Sequence, residues 1–481
     1  MKPNRHFLIP AACLMLLMGA CAPEAAVAPA VEQTTPPEQI ALEAGISPVP
    51  LVTGETPKAV PLAERMAALG VPGVSIAVYR AGAPDWAAGF GEGVDAGTLF
   101  QAASLSKMVA SVGIVALAQE KGVDLDTDIS GDLAGLDLAA LNPDGVPVTL
   151  RALLSHTNGA NVSGFPGYAA GAPVPSTLEV ITGSARTNTP AVVIRRPDAA
   201  SPYSYSGGGY TVAQYWAEQV SGEDFAALMQ RLVLDPVGME ASTFAQPLPE
   251  ALAGGNVAAA HNSQGVEIAG RWHTYPELAA AGLWTTSSDF GRFLMALTGR
   301  AEGIDPAVAA EVTRPVVSDY GLGIGIVPYD GEVSLRHSGG NAGYTCYALV
   351  WPERGDAIVV MTNADNGFRL YRDIVETAGA LHGWPSGAPA PRQREELSAE
   401  ALAVLAGRYA AEGTPDVILE FSAGEGELLG ASPIAGNFRA VPVEGGALVS
   451  PEDGFEIRYE INGSDVRLSV MGMTLVKAPQ D

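Results

Sequence analysis

The chain has 481 residues, 47% hydrophobic and 17% charged, which is enough apolar material for one sizeable core and a second smaller one and excludes global disorder. Its 53 acidic against 27 basic residues give a net charge of −26 with no clustered Lys or Arg, arguing against a nucleic-acid partner and against electrostatic adhesion to anionic lipid. Cys13, Cys21 and Cys346 are the only cysteines, and the six histidines show no helical metal-ligand spacing, so no disulfide framework, Cys-based zinc site or other metal or cofactor is expected.

In chain order, the N-terminus has a basic start (Lys2, Arg5), an apolar stretch from Phe7 to Met18, then Gly19 and Ala20 before Cys21. This order predicts a secretory signal over 1–20, because the apolar run is shorter than the roughly 20 residues a membrane-crossing helix needs. Leu17-Met18-Gly19-Ala20-Cys21 resembles a bacterial lipoprotein signal, which would make Cys21 the lipidated first mature residue; conventional cleavage near Ala20 is the alternative. Removal of Lys2 and Arg5 takes the net charge to −28 and leaves Cys21 as the expected route to a membrane. Residues 21–57, rich in Ala, Pro and Glu, read as an extended linker. From 58 to 385, strand-like runs such as Val74–Tyr79 and Ala357–Met361 mix with long helical stretches. A Pro- and Gly-rich break at Gly383–Pro391 marks a boundary. Beyond a short helix near Ala399–Leu405 the period becomes two: Phe455, Ile457, Tyr459 and Ile461 alternate, Asn462-Gly463 supplies a turn, and Val466, Leu468 and Val470 return. Residues 395–481 are therefore expected to form a small antiparallel β domain, sheet or barrel, without a catalytic cluster.

The chain contains no Gly-x-Ser-x-Gly, which removes the nucleophile elbow of α/β-hydrolases. It does contain Ser104-Leu105-Ser106-Lys107, opening a helical run to Gly122 in which Leu105, Met108, Val109 and Val112 mark a buried face. Residues three apart share a helix face, so the Lys107 amine reaches the Ser104 hydroxyl. A partly desolvated lysine there can assist removal of the hydroxyl proton, and the helix N-terminus favours the charge that develops. Standing alone, such a pair is better explained by a serine N-cap and a surface lysine. Two more segments join it: Tyr205-Ser206-Gly207-Gly208-Gly209-Tyr210, about one hundred residues on, and Arg336-His337-Ser338-Gly339-Gly340 before the strand Tyr347–Trp351. A phenol over Ser104 and Lys107 can act as base, and a Gly-rich edge strand lets a substrate approach its backbone.

These three segments in this order resemble the serine β-lactamase and penicillin-binding protein superfamily, most closely its class C β-lactamase, DD-peptidase and esterase branch. Thr149–Gly159, Pro236–Met239, Ala281–Asp289 and Val359–Asn363 add to the resemblance, which covers most of residues 60–370. It implies an α/β, β-lactamase-like fold: an antiparallel sheet flanked by helices plus a helical subdomain. It also implies Ser104 as acylated nucleophile, Lys107 as its proton partner and Tyr205 as general base or acid. His337 takes the place of a lysine more usual in the family, with Ser338, Gly339 and Gly340 lining the substrate site and the backbone N–H groups of Ser104 and Gly340 forming the oxyanion hole. The partner is then a small-molecule or peptide acyl substrate: ester, amide or lactam.

One departure stands out. The family's tyrosine motif usually ends in Asn, and Gly207 stands there, so recognition of penicillin-like side chains is weakened or the pocket is widened. A mostly neutral His337 also attracts a carboxylate less than lysine does. The readings left open are a β-lactamase or D-amino-acid peptidase proper and, from another class, a non-catalytic envelope ligand-binding protein. His156 reads as a hydrogen-bonded structural histidine, His261 and His273 as surface histidines and Cys346 as a buried apolar residue.

Overall fold

The computed structural model describes residues 35–47, 52–55, 58–329, 331–385, 391–411, 414–432, 436–451, 456–462, 465–470 and 473–478. The expected signal and Cys21 lie outside them, as do parts of the linker and the Gly463 turn position.

Six strands, β1 (Val74–Arg80), β2 (Ala83–Phe90), β3 (Gly325–Tyr329), β4 (Glu332–Asn341), β5 (Tyr344–Trp351) and β6 (Asp356–Thr362), form one antiparallel sheet in the order β2-β1-β6-β5-β4-β3. Successive side chains of a strand point to opposite faces. Ala77, Val359 and Met361 accordingly enter a core shared with the helical region. Ile76, Val78, Ile358 and Val360 enter a second core beneath the helices Leu62–Leu69 and Gly367–His382. With both faces covered, β6 is buried at every position, and its run Ala357–Met361 is apolar without alternation. The helical region lies between β2 and β3 in the chain and holds the helices Ser106–Lys121, Leu150–Leu154, Gly207–Ser221 and Ser287–Leu297. Ser106–Lys121 is buried almost all round and stops at Gly122, whose φ of +68° permits the left-handed C-terminal turn.

The C-terminal region is a closed eight-stranded antiparallel barrel: β7 (Gly407–Ala411), β8 (Thr414–Ala423), β9 (Leu428–Ser432), β10 (Gly436–Val443), β11 (Ala447–Val449), β12 (Glu456–Asn462), β13 (Asp465–Val470) and β14 (Met473–Lys477). Closure comes from β14 pairing with β7, Val476 opposite Ala410, which leaves no open edge. The period-two pattern holds where it points inward: Ile457, Val466 and Leu468 are buried, while Ile461, near the end of β12, is exposed. The helix Ala399–Leu405, capped by Ser398, adds Leu402 and Leu405 to this core.

The linker reading needs correction over its described part. Pro37–Ala44 is a helix, and Leu42 and Ile46 enter the core beneath Gly367–His382. Val52 packs with Val441, Val443, Ala447 and Val449 of the barrel, and Glu55 pairs with Arg439 at 2.9 Å. Too few apolar residues to make a core are still enough to fill pockets on cores already formed; each fully buried aliphatic side chain contributes about 1.5–3 kcal/mol.

Candidate active site

Ser104 lies in a single 3₁₀ turn, Ala103–Leu105, that runs into the helix Ser106–Lys121. No side chain caps either element, so Ser104 is not the N-cap of a conventional helix start. Its Oγ accepts a hydrogen bond from Lys107 Nζ at 3.1 Å. Ala103, just before it, has φ of +48°, a left-handed conformation that a non-glycine residue adopts only at a cost of about 1 kcal/mol or more. The other serine of the segment is committed to structure: Ser106 Oγ donates to Ala103 O at 2.5 Å and accepts from Leu283 N–H at 3.0 Å. The segment is pinned further by Ala102 N–H to Leu283 O at 2.8 Å and by pairing of Phe100–Gln101 with Trp284–Thr285.

Lys107 is 2% exposed, and its Nζ donates two hydrogen bonds. Besides Ser104 it donates to Ala280 O at 2.8 Å and lies 5.0 Å from the ring centre of Tyr205 and 5.5 Å from that of Tyr210. The cost of burying a lone cation is met by those oxygens and aromatic faces. Tyr205 precedes the helix Gly207–Ser221, whose N-cap Ser206 accepts from Gly209 N–H. Residues 104, 107 and 205 thus meet at Lys107 Nζ, Ser104 through its hydroxyl and Tyr205 through its ring.

On β4 the alternation buries His337 and Gly339 and leaves Ser338 and Gly340 exposed. β3 pairs only with Glu332–Arg336, so among the described residues the strand has no partner on that side from His337 to Asn341. A Cβ on Gly339 would lie 2.5 Å from Cys346 Sγ, 2.6 Å from Ala102 O and 3.0 Å from Ala103 Cβ, so glycine is what lets β4 pack against the turn carrying Ser104. At Gly340 a Cβ would meet nothing within 4 Å. His337 Nδ1 lies 2.5 Å from Ser338 O, which can only accept, so Nδ1 carries the proton; Nε2 then accepts from the Tyr320 hydroxyl at 3.1 Å. Burial, and secondarily the Lys107 cation, pull the His337 pKa down to about 4, making it a neutral imidazole at pH 7. A cleft of about 500 Å³ opens beside these groups, lined by Tyr203, Tyr205, Tyr320, Arg336, His337 and Ser338. A larger groove of about 660 Å³ on the barrel, by Ser422, Leu429 and Phe438, carries no comparable pair of nucleophile and base.

Gly207 does not widen the pocket. A Cβ there would sit 2.7 Å from Phe165 Cε2 and 3.2 Å from Ser163 O, so the Phe165 ring fills the space a longer side chain would take. His156 is buried and hydrogen-bonded, as expected, but its ring centre lies 4.3 Å from that of Tyr205. His261 and His273 each bond a backbone carbonyl, of Asn363 and Pro166. Sequence reasoning missed Ala280 O, Tyr320 and Phe165. A backbone carbonyl has no residue signature, and the other two lie in loops without a motif. Among the described residues no three His, Cys, Asp or Glu side chains gather where a metal ion could be held, and no helix is long and apolar enough to cross a membrane.

Comparison with known proteins gives the same site a context. The Beta-lactamase family model matches residues 62–380. Penicillin-binding protein 4 of Amycolatopsis lactamdurans is 24% identical over 375 residues, covering 71% of this chain and 94% of its own. Among solved structures, the octameric penicillin-binding protein homologue from Pyrococcus abyssi superposes with a TM-score of 0.56 at 21% identity, covering 86% of this chain and 98% of its own. The D-amino acid amidase from Ochrobactrum anthropi SV3, complexed with D-phenylalanine, gives 0.55 at 22% identity, covering 67% and 97%.

Proposed function

The chain belongs to the β-lactamase family of serine hydrolases, and on that premise we propose that it is an exported enzyme working through an acyl-enzyme on Ser104. The observation that carries this reading is the contact of 3.1 Å between a buried Lys107 Nζ and Ser104 Oγ, with the ammonium held on its other side by Ala280 O. Acylation, the first half-reaction, requires the Lys107 and Tyr205 pair to enter with one site free of its proton, Lys107 as amine or Tyr205 as phenolate; Ser104 Oγ then bonds to the acyl carbon as its proton passes to that site. The bond from that carbon to the leaving nitrogen or oxygen then breaks, and the leaving atom takes up the proton. In the second half-reaction water adds to the acyl carbon, one of its protons returns to the Ser104 oxygen, and the acid departs. The N–H groups of Ser104 and Gly340 would hold the tetrahedral oxygen, a contact worth about 3 kcal/mol per donor in other hydrolases.

Two features bear on the substrate. His337 is neutral, so it offers a substrate carboxylate no full charge, and Phe165 fills the space beside Gly207 where an amide would hold an acylamide side chain. Both favour short esters and amides over penicillins. D-amino-acid amides belong in the set because a D-amino acid amidase shares the fold. Export rests on the basic, apolar and small-residue order of residues 1–20, with Cys21 as the lipid attachment point. The test is an activity screen of wild type and Ser104→Ala against p-nitrophenyl esters, nitrocefin and D-amino-acid amides. Hydrolysis of at least one class that Ser104→Ala abolishes is the expected result; silence across all three would favour a ligand-binding protein.

A further inference from the structure

Tyr205 precedes its helix, where the backbone has no helical hydrogen bonds to fix it, so something else must hold its ring beside Lys107 Nζ. One residue contacts the chain on both sides of it. The Ser204 N–H donates to His156 O at 2.8 Å, and the Ser206 N–H donates to His156 Nδ1 at 3.0 Å. Between these two bonds the imidazole packs on the Tyr205 ring, centres 4.3 Å apart and planes 42° apart. His156 itself is completely buried.

Two costs at this residue are hard to account for by packing alone. His156 has φ of +61°, a left-handed conformation that a histidine adopts only where the surroundings impose it. Because Nδ1 accepts, the proton sits on Nε2, and that buried N–H has no hydrogen-bond partner among the described residues. It lies in a box of tyrosine rings, with Tyr320 and Tyr210 at 5.2 and 5.4 Å. An apolar side chain would avoid the orphaned donor but could not accept from Ser206. The scaffold behind His156 is rigid: Leu154 O accepts both the Tyr210 hydroxyl at 2.8 Å and the Gly323 N–H at 2.9 Å.

We infer that His156 is the positioning residue of the site: it clamps residues 204 and 206 and supports the ring between them, so that the Tyr205 hydroxyl is delivered to Ser104 and Lys107. The clamp requires a neutral imidazole, and burial, with Lys107 and His337 nearby, holds the His156 pKa well below its ordinary value. The inference rests on the proposed role of Tyr205.

The experiment is the single-turnover acylation rate with a fluorophosphonate probe in wild type, His156→Gly, His156→Asn, Tyr205→Phe and the double variant Tyr205→Phe/His156→Gly. Glycine keeps the left-handed backbone but lacks the acceptor, whereas asparagine keeps both. His156→Gly should lower the maximal rate by about 10- to 100-fold with little change in the probe concentration at half-saturation, as misplacement of a catalytic group by an ångström does. His156→Asn should stay within about fivefold of wild type, and it carries the test if the glycine variant does not fold. In the Tyr205→Phe background His156→Gly should cost less than about threefold, because its effect runs through the missing hydroxyl. An equal loss in both backgrounds, or a natively folded His156→Asn as impaired as His156→Gly, would overturn the clamp alone. A Tyr205→Phe rate equal to wild type would refute the role of Tyr205 and the clamp with it.

Discussion

Glu277 allows a sharp test of how the site's rear wall is built. It immediately precedes the short helix Leu278–Ala281 whose Ala280 carbonyl anchors Lys107, it is 0% exposed, and both carboxylate oxygens lack a hydrogen-bond partner among the described residues. Burial pushes its pKa from 4.5 to about 7, and the electrostatic neighbours Tyr168 and Tyr275 are themselves raised partly by it. A carboxyl whose folded pKa lies above its unfolded value favours the fold fully below the unfolded value. That advantage is lost as pH rises toward the folded value, above which the charged form is buried at full cost. The gap of about 2.5 units corresponds to about 3 kcal/mol, of which about 2–3 kcal/mol falls between pH 5 and pH 8. Glu277→Gln removes the titration while keeping the shape. Thermal unfolding of both proteins at pH 5, 6.5 and 8 should show the variant gaining on wild type with pH, by roughly 4 °C across the range for a domain of this size. A difference between the two proteins that stays constant from pH 5 to pH 8 would refute the reasoning, since groups common to both cancel.

Other outcomes follow from the glycine contacts. Gly339→Ala should destabilise by about 1–3 kcal/mol and impair acylation, because its Cβ collides with Ala102 O and Cys346 Sγ, whereas Gly340→Ala, facing open space, should unfold within about 0.5 kcal/mol of wild type; chemical denaturation with activity measured in parallel separates them. At the filled position, Gly207→Asn should be destabilising alone and largely rescued by Phe165→Ala, a non-additivity of about 1 kcal/mol or more measured by a double-mutant cycle. The same double variant should shift the substrate profile toward acylamide-bearing lactams, and an unchanged profile would count against Phe165 as a determinant of specificity.

Much of this site is legible in the amino-acid sequence. The three-residue spacing of Ser104 and Lys107 fixes their encounter within one turn, and the glycines after Ser338 announce a strand that approaches something closely. What periodicity cannot encode is which distant backbone supplies a partner: Ala280 O, the His156 clamp and the Tyr320 hydroxyl all reach the site from segments far away in the chain. The left-handed turns at Ala103 and His156 carry no glycine to betray them. Residues 37–55 misled for a related reason. Their sparse Leu42, Ile46 and Val52 are too few to suggest a fold, yet each fills a place on a core built by other segments. In the barrel the alternating runs gave the right architecture because every strand shares a single interior.

The proposed acyl-enzyme chemistry stands or falls on Ser104 as the acylated group. Intact-mass analysis after incubation with a fluorophosphonate or β-lactam probe, followed by peptide mapping, addresses it directly. One adduct per chain on the peptide containing Ser104 is the predicted result, absent from Ser104→Ala and formed orders of magnitude more slowly in Lys107→Ala. A stoichiometric adduct on another residue, such as Ser106 or Ser338, or an undiminished adduct in Ser104→Ala, would contradict it.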